Sequence, residues 1–306
     1  NIDVSLEPIE DSIQNKIIGE LDTTGKCPTV NDDGSVNVTS AESDNSLLCS
    51  AFDAYGTSYY YRGNVVNNYV KFANFYWRIV RVNGDGSIRL IYDGTSAHAN
   101  GETSEDRIIG NSAFNEQSND NAYIGYMYGT PSSSTYGETH ANINDSTIKK
   151  FIDKWYENNI KGTNYEKYLS DNIFCNDRSI STFTSDSNTK LGYGTNTTFY
   201  RWVYGPWNGI NSGNTETKLM CPQQNDAFTV DDTLNAYYLY SGVYWWSSSP
   251  FHFFVNIANG RYVGSNGSAD GSYQISKASG VKLVLNLKSN SLKSGDGTIN
   301  NPYVVE

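Results

Sequence analysis

The sequence predicts an α+β fold with antiparallel sheets, two or three helices and long loops. Three observations lead to this prediction. Residues 58–93 contain strand-forming runs with alternating polarity, residues near 150 show apolar side chains at helical spacing, and long stretches rich in Asn, Ser and Gly separate them. The chain has 306 residues and is 38% hydrophobic, which is enough to fill the core of one large domain or two ordinary ones.

The overall charge argues against one class of partner. Net charge is -11, and no cluster of Lys and Arg offsets it, so nucleic acid would be repelled. The 24 Tyr and the low charged fraction of 18% are typical of an extracellular, β-rich surface. No apolar run approaches the ~20 residues needed to cross a bilayer, and we expect no charged-then-apolar leader within this segment. We therefore expect a secreted or cell-surface segment, attached to a membrane only through an anchor outside it.

Four cysteines, Cys27, Cys49, Cys175 and Cys221, allow three disulfide pairings, and none has the spacing of a zinc or redox motif. We favour Cys27 with Cys49 and Cys175 with Cys221, because each pair brackets one self-contained stretch. Four buried free thiols are the alternative. A bond between Cys175 and Cys221 would hold a long excursion of the chain against the body.

The sequence predicts an N-terminal helix followed by one main domain. Residues 3–21 are predicted to form one amphipathic helix, so 1–25 is an N-terminal packing helix or stalk and 26–306 is the main domain. A second helix, capped by Asp145 or Asn144, is predicted up to Ile160, and a shorter one at 165–172. All three are interpreted as scaffold.

The clearest strands lie at 59–62, 69–72, 75–82 and 88–92, with a hairpin turn at 83–86. Arg78, Arg81 and Arg89 are expected on the solvent face of these strands. Further strands are predicted at 123–128 and 280–287.

The residues that bear on function lie at 237–287. This region begins with an aromatic run ending in Trp245 and Trp246, continues through Asn, Gly and Ser, and ends in a buried strand. Tyr and Trp give a rigid contact area, while Ser, Gly and Asn give adaptable hydrogen bonds, so the composition favours recognition.

Motifs of catalysis are not found. The three histidines, His98, His140 and His252, are far apart, and there is no nucleophile elbow or phosphate-binding loop. We therefore predict no enzyme activity, no cofactor and no metal site. A structural calcium ion bound by acidic loops such as 83–86 and 295–297 is an alternative. The Asn-Gly and Asp-Gly dipeptides of these loops are better explained as hairpin turns. A pair of carboxylates for glycoside hydrolysis also stays open.

Five stretches carry a resemblance to a known family. The runs Tyr244 to Pro250 and Gly280 to Val284, with an Asn-Gly hairpin at 259–260 between them, resemble the end of C-type-lectin-like domains of the formylglycine-generating-enzyme type. This family includes variable proteins diversified by retroelements. Residues 77–93 and 295–304 resemble bacterial surface proteins with this domain, so the resemblance covers most of 26–306. One departure is Lys282, where the family often has an Arg in a core ion pair.

The resemblance implies a lectin-like fold whose last strands hold a ligand face without catalysis. The catalytic cysteines of the oxidase relatives have no counterpart within 237–287. In the variable proteins, adenine-directed mutation produces an alphabet of exposed residues that several positions between 251 and 273 match.

We predict from these observations a secreted or surface-displayed, adhesin-like protein that binds a protein or glycan ligand. The predicted contact residues are Trp246, Phe251, His252, Phe253, Arg261, Tyr262, Asn266, Asp270 and Tyr273. Trp245 and Phe254 are expected in the core. The alternatives are a pilin-like or cell-wall structural subunit and a glycan-active enzyme.

Overall fold

The computed structural model describes residues 12–27, 29–30, 36–37, 46–53, 55–172, 174, 238–254, 256–265 and 269–305, with the backbone alone at 29–30, 36–37, 51–52, 249–252, 254 and 269–272. The helices are α1 (Ile13–Ile18), α2 (Tyr136–Thr139) and α3 (Thr147–Asn159), with 3-10 turns at Glu105–Arg107, Asn121–Ile124 and Glu166–Tyr168. The strands are β1 (Thr29–Val30), β2 (Val36–Asn37), β3 (Ser46–Asp53), β4 (Gly56–Gly63), β5 (Tyr69–Phe72), β6 (Phe75–Val82), β7 (Ile88–Gly94), β8 (Asn111–Ala113), β9 (Met127–Tyr128), β10 (Asn144–Asp145), β11 (Trp245–Phe254), β12 (Ile257–Val263), β13 (Ala269–Gln274), β14 (Ala278–Gly280), β15 (Val284–Leu287), β16 (Leu292–Ser294) and β17 (Tyr303–Val305). The described residues thus form an α+β fold, as predicted.

The larger sheet has eight strands in the order β15-β7-β6-β5-β17-β16, with β4 pairing to β6 and β3 to β4. Its centre is the predicted hairpin of β6 and β7, and the turn at 83–86 is closed by hydrogen bonds between Asn83 and Ser87 and between Gly86 and Asn83. The predicted strands 59–62 and 69–72 are confirmed as β4 and β5. These strands were predicted well because their alternation is local.

The smaller sheet has five strands in the order β13-β12-β11-β14-β8. The predicted single strand at 280–287 is wrong, because the chain leaves β14 at Gly280 and enters the larger sheet at Val284. Between them, Val281 exchanges backbone hydrogen bonds with Ile109 and Gly110, and the Leu283 carbonyl accepts one from Tyr92. The strand is interrupted because residues 278–287 contribute β14 to the smaller sheet and β15 to the larger sheet.

The predicted Asn-Gly hairpin is also wrong. Asn259 and Gly260 lie inside β12 and pair with His252 and Pro250 of β11. The reversal comes earlier, between the paired residues Phe254 and Ile257, where Asn256 adopts a left-handed conformation with φ of 61°. Asn tolerates this conformation better than most residues.

The helices are shorter than the sequence predicted. Ser12 has an extended backbone and caps α1, so no continuous helix spans 3–21, and the part of that prediction before residue 12 lies outside the described residues. Ile17 is fully buried in the main core, which agrees with a packing helix. Ser146, rather than Asp145 or Asn144, caps α3 through a hydrogen bond to Lys149, because the two earlier residues form β10. The predicted helix at 165–172 is a single 3-10 turn, and the predicted strand at 123–128 is reduced to β9.

Two apolar cores hold the sheets together. The first centres on Trp77, whose ring contacts Phe72, Tyr92 and Trp155 of α3. The second lies under the smaller sheet and includes Phe114, Ile148, Trp246 and Phe253. Ile152 of α3 packs against both cores, so this helix joins the two sheets.

The predicted disulfide between Cys27 and Cys49 is present, with Cα atoms 5.5 Å apart. It ties the segment after α1 to β3. Cys175 and Cys221 lie outside the described residues. No helix in the described part of the chain is long and apolar enough to cross a membrane.

Candidate functional site: a tyrosine row on the smaller sheet

Three tyrosines form a continuous row of rings across the smaller sheet. Tyr244 precedes β11, Tyr262 lies on β12 and Tyr273 lies on β13. The ring centroids are 5.8 Å apart between Tyr244 and Tyr262 and 5.3 Å apart between Tyr262 and Tyr273, with tilts of 43° and 55°. Tyr244 is 54% exposed and Tyr273 36% exposed, while Tyr262 is half-buried. We call these three residues the tyrosine row.

Trp246 packs beside the tyrosine row, on the same face of the sheet as its cross-strand partner Tyr262. It is 5% exposed, its ring lies 5.5 Å from that of Tyr273, and it contacts Phe114 edge-on at 5.8 Å. Its indole Nε1 donates a hydrogen bond of 2.8 Å to the Ser112 carbonyl. A Cβ atom on Gly260 would lie 3.3 Å from the Trp246 ring, so the missing side chain makes room for it. The Tyr273 end of the row therefore packs against a buried, hydrogen-bonded indole ring.

Backbone contacts hold Tyr244 in place. The Gly280 N–H donates a hydrogen bond of 2.9 Å to the Tyr244 carbonyl. A side chain at Gly280 would overlap that carbonyl oxygen. Two residues earlier, Gly242 has φ of 71°, and the Thr103 side chain packs where its Cβ would be. Both glycines allow a close approach that another residue would prevent.

A buried group of charged side chains lies next to the ring of Trp245. Asp93 is surrounded by Arg78, Arg107 and Lys282, and the four side chains are at most 1% exposed. Arg107 donates from Nε and Nη2 to Asp93 Oδ1 at 2.9 and 2.7 Å. The nearest approaches of Arg78 and Lys282 to the carboxylate are both 3.7 Å, too long for hydrogen bonds. We call these four residues the charge quartet.

The surroundings of the quartet change the pKa of two of its members. Burial lowers the pKa of Lys282 to about 7; Asp93 opposes this change, and Arg107 and Arg78 add to it. Burial likewise lowers the pKa of Arg78, against the attraction of Asp93. The Lys282 ammonium also lies 5.7 Å from the centre of the Trp245 ring. Lys282 thus takes part in a core ion pair at the position where Arg was expected.

The structure corrects the prediction for the arginines of the larger sheet. Arg78, Arg81 and Arg89, expected on a solvent face, are all buried. The guanidinium of Arg78 stacks on the Tyr69 ring at 3.7 Å and donates to Asn68 at 2.6 Å and to the Val65 carbonyl at 2.6 Å. Buried partners from other elements therefore replace the expected water.

His98 has polar partners at both of its ring nitrogens. Its Nδ1 lies 2.9 Å from Glu102 and its Nε2 lies 2.7 Å from Asp106. The Ser96 hydroxyl lies 3.3 Å from the same Nε2. This nitrogen is therefore already engaged by a carboxylate, unlike the free base that would activate a serine. The arrangement instead closes the 95–107 loop, which packs under Gly242.

The acidic loops show turn chemistry. Asp85 accepts hydrogen bonds from the backbone and hydroxyl of Ser87 at 2.9 and 2.6 Å. Asp296 accepts the matching pair from Thr298 at 3.0 and 2.7 Å. Within the described ranges, no group of three or more His, Cys, Asp or Glu side chains is arranged to hold a metal ion.

The predicted contact residues divide into three groups. Tyr262 and Tyr273 belong to the tyrosine row. Trp246, Phe253 and Arg261 are 5%, 1% and 1% exposed, so the prediction that they contact a ligand directly is wrong in this structure. Trp246 and Phe253 instead fill the second core. The side chains of Phe251, His252 and Asp270 and all of Asn266 lie outside the described part.

Two functional features were missed in the sequence. Tyr244 stood in the aromatic run, and its position just before the paired Trp245 was the available signal. Asp93 gave no such signal, because its cations come from β6, the 105–107 turn and residue 282. Trp245, expected in the core, is partly buried against the first core, and the side chain of Phe254 is not described.

Comparison of the chain with protein-family models, curated proteins and solved structures finds no match.

Proposed function

We propose that this chain is a ligand-binding module of a secreted or cell-surface protein and that the tyrosine row is its contact surface. The observation that supports the proposal is the row itself. Its three adjoining rings are exposed or half-buried, and they lie together on the smaller sheet. Exposed tyrosines combine a large apolar area with a hydroxyl and lose little conformational entropy on binding. The ligand class proposed is a protein or glycan on a cell or host surface.

Two further features support parts of this proposal. The disulfide between Cys27 and Cys49 is compatible with an oxidising, extracellular location. The α+β architecture is compatible with the proposed C-type-lectin-like fold, and strands β11 to β14, together with β8, form the sheet that bears the row. Diversification of the exposed positions is a further part of the proposal. Its test is the encoding DNA, where a near-copy differing only at adenines should lie beside a reverse transcriptase gene.

The glycan-active alternative has less support in the described residues. A glycoside hydrolase needs two carboxyl groups facing the scissile bond. Of the two buried acids there, Asp93 is bound by Arg107, and Asp53 accepts backbone hydrogen bonds from Tyr55 and Gly84 at 2.8 Å each. Both carboxylates are therefore occupied in holding the fold.

The test is capture on arrays of glycans and of host surface proteins. The wild-type chain should bind a defined subset, and the variant with Tyr244, Tyr262 and Tyr273 all changed to Ala should lose at least tenfold in affinity for it. In a matched control, Tyr55 and Ile143 are both changed to Ala. Tyr55 is 46% exposed and lies on the β3–β4 turn, and Ile143 is also exposed. Equal binding by a folded row variant and by the control would refute the proposed surface.

A further inference from the structure

The charge quartet contains more positive charge than its one carboxylate can balance. Arg78, Arg107 and Lys282 surround Asp93, so the quartet carries two excess positive charges with the lysine protonated and one with it neutral. Arg107 makes both of the short contacts to the carboxylate, at 2.7 and 2.9 Å. Lys282 Nζ is left 3.7 Å from Oδ1, with no hydrogen-bond acceptor among the described residues. Such a buried ammonium is poorly compensated.

Lys282 is the member of the quartet that can release this excess. The guanidinium groups of Arg78 and Arg107 stay protonated in proteins, whereas a buried lysine readily loses its proton. Burial lowers the pKa of Lys282 to about 7, with Asp93 opposing and both arginines contributing. The two phenols packed on Arg78, Tyr69 and Tyr238, have a pKa raised by burial and stay neutral near pH 7.

Lys282 lies close in sequence and in space to the segment that carries the first tyrosine of the row. Its ammonium lies 5.7 Å from the Trp245 ring, and Trp245 immediately follows Tyr244. Two residues before Lys282, Gly280 pairs with Trp245 and donates its N–H to the Tyr244 carbonyl. Residues 280–282 thus contact the backbone of Tyr244 through one hydrogen bond and the ring of Trp245 through the lysine ammonium.

We propose that Lys282 is a proton-operated positioning residue, whose charge sets how firmly residues 280–282 hold Tyr244 and Trp245. Opening of this contact lets water reach the ammonium, whose pKa then returns towards its ordinary value of 10.5. Between about pH 7 and 10.5 the open state binds one proton more than the closed state, so raising the pH favours the closed state. Below about pH 7 the lysine is charged in both states, and pH no longer changes the balance.

The first test is amide hydrogen exchange from pH 6 to pH 9, corrected for the intrinsic rate at each pH. Protection of the amides at 244–246 and 280–282 should stay level up to about pH 7 and then rise by up to about tenfold per pH unit, the limit for one linked proton. Amides in the β6–β7 hairpin serve as the internal reference. No ligand is involved, so the outcome is separate from that of the binding experiment.

Two variants isolate the lysine. Lys282→Met keeps the length without a charge, so its protection should be high and independent of pH over this range. Lys282→Arg keeps the charge throughout, so its protection should be low and equally flat. A wild-type pH slope retained in Lys282→Met would overturn the proposal.

A direct titration keeps the proposal testable if either variant fails to fold. The NMR signals of the Lys282 side chain in the wild-type protein should titrate with a midpoint near pH 7. A midpoint at or above pH 10 would overturn the proposal.

Discussion

Replacement of Asp93 by Asn tests whether the charge quartet stabilises the fold. The change keeps the size of the side chain and one acceptor oxygen for Arg107, but it removes the negative charge that faces the buried guanidinium groups of Arg78 and Arg107. Loss of one partner from a buried ion pair typically costs about 3 to 5 kcal/mol, because the remaining charge is left uncompensated. Since Asp93 is 1% exposed, solvent offers little relief, and we expect a cost in this range.

The assay is urea unfolding at pH 7.5, followed by tryptophan fluorescence. Asp53→Asn is the matched control, because Asp53 is also buried but accepts two backbone hydrogen bonds and has no ion-pair partner among the described residues. Its replacement should cost about 1 kcal/mol, the typical value of one hydrogen bond. Because burial lowers the pKa of Lys282 to about 7, the lysine is largely neutral at pH 7.5, so adding Lys282→Met to Asp93→Asn should recover little of the cost of losing Asp93. Equal costs for the two Asp variants would refute the reasoning.

Three further changes are expected to act through other contacts. Trp246→Ala should destabilise the protein by about 3 to 5 kcal/mol, because it leaves a cavity where the buried indole ring packs. The control Tyr244→Ala, at an exposed position, should cost less than about 1 kcal/mol in the same urea series. Cys27→Ala with Cys49→Ala opens a disulfide between residues 22 apart in sequence and should cost about 3 kcal/mol, with the midpoint of thermal unfolding falling by several degrees; an unchanged midpoint would contradict the contribution of this bond. Ser146→Ala removes the cap of α3 and should cost about 1 kcal/mol by thermal unfolding, and Ser146→Asp, which keeps the cap, should restore the loss.

The sequence predicted those parts of the fold whose information is local. The hairpin of β6 and β7, the turn at 83–86 and the apolar face of α3 follow from alternation or helical spacing within a few residues. The burial of Arg78 could not be predicted in this way, because its partners Asn68 and Asp93 lie on other elements.

The site was predicted in part, and the errors have a common cause. Alternation along β11 would place Trp246 and Phe253 on opposite faces, but the register shifts between Trp246 and Pro250 and again between Pro250 and His252. Between Trp246 and Phe253, β11 advances seven positions while β12 advances four, so β11 contains three extra residues, and an odd number reverses the face of the side chains that follow. Trp246 and Phe253 consequently both enter the second core, and the exposed rings are supplied by Tyr244, Tyr262 and Tyr273.

The hydrogen bond from Gly280 to Tyr244 uses the main chain and leaves the phenol ring uncommitted. A residue of another type at position 244 would keep this bond, since every amino acid carries the same carbonyl. The framework therefore fixes where a side chain is presented without dictating which one it is. Libraries randomised at 244 and 273, with Trp246 and Gly280 kept, would test whether the proposed contact surface accepts different side chains on an unchanged scaffold.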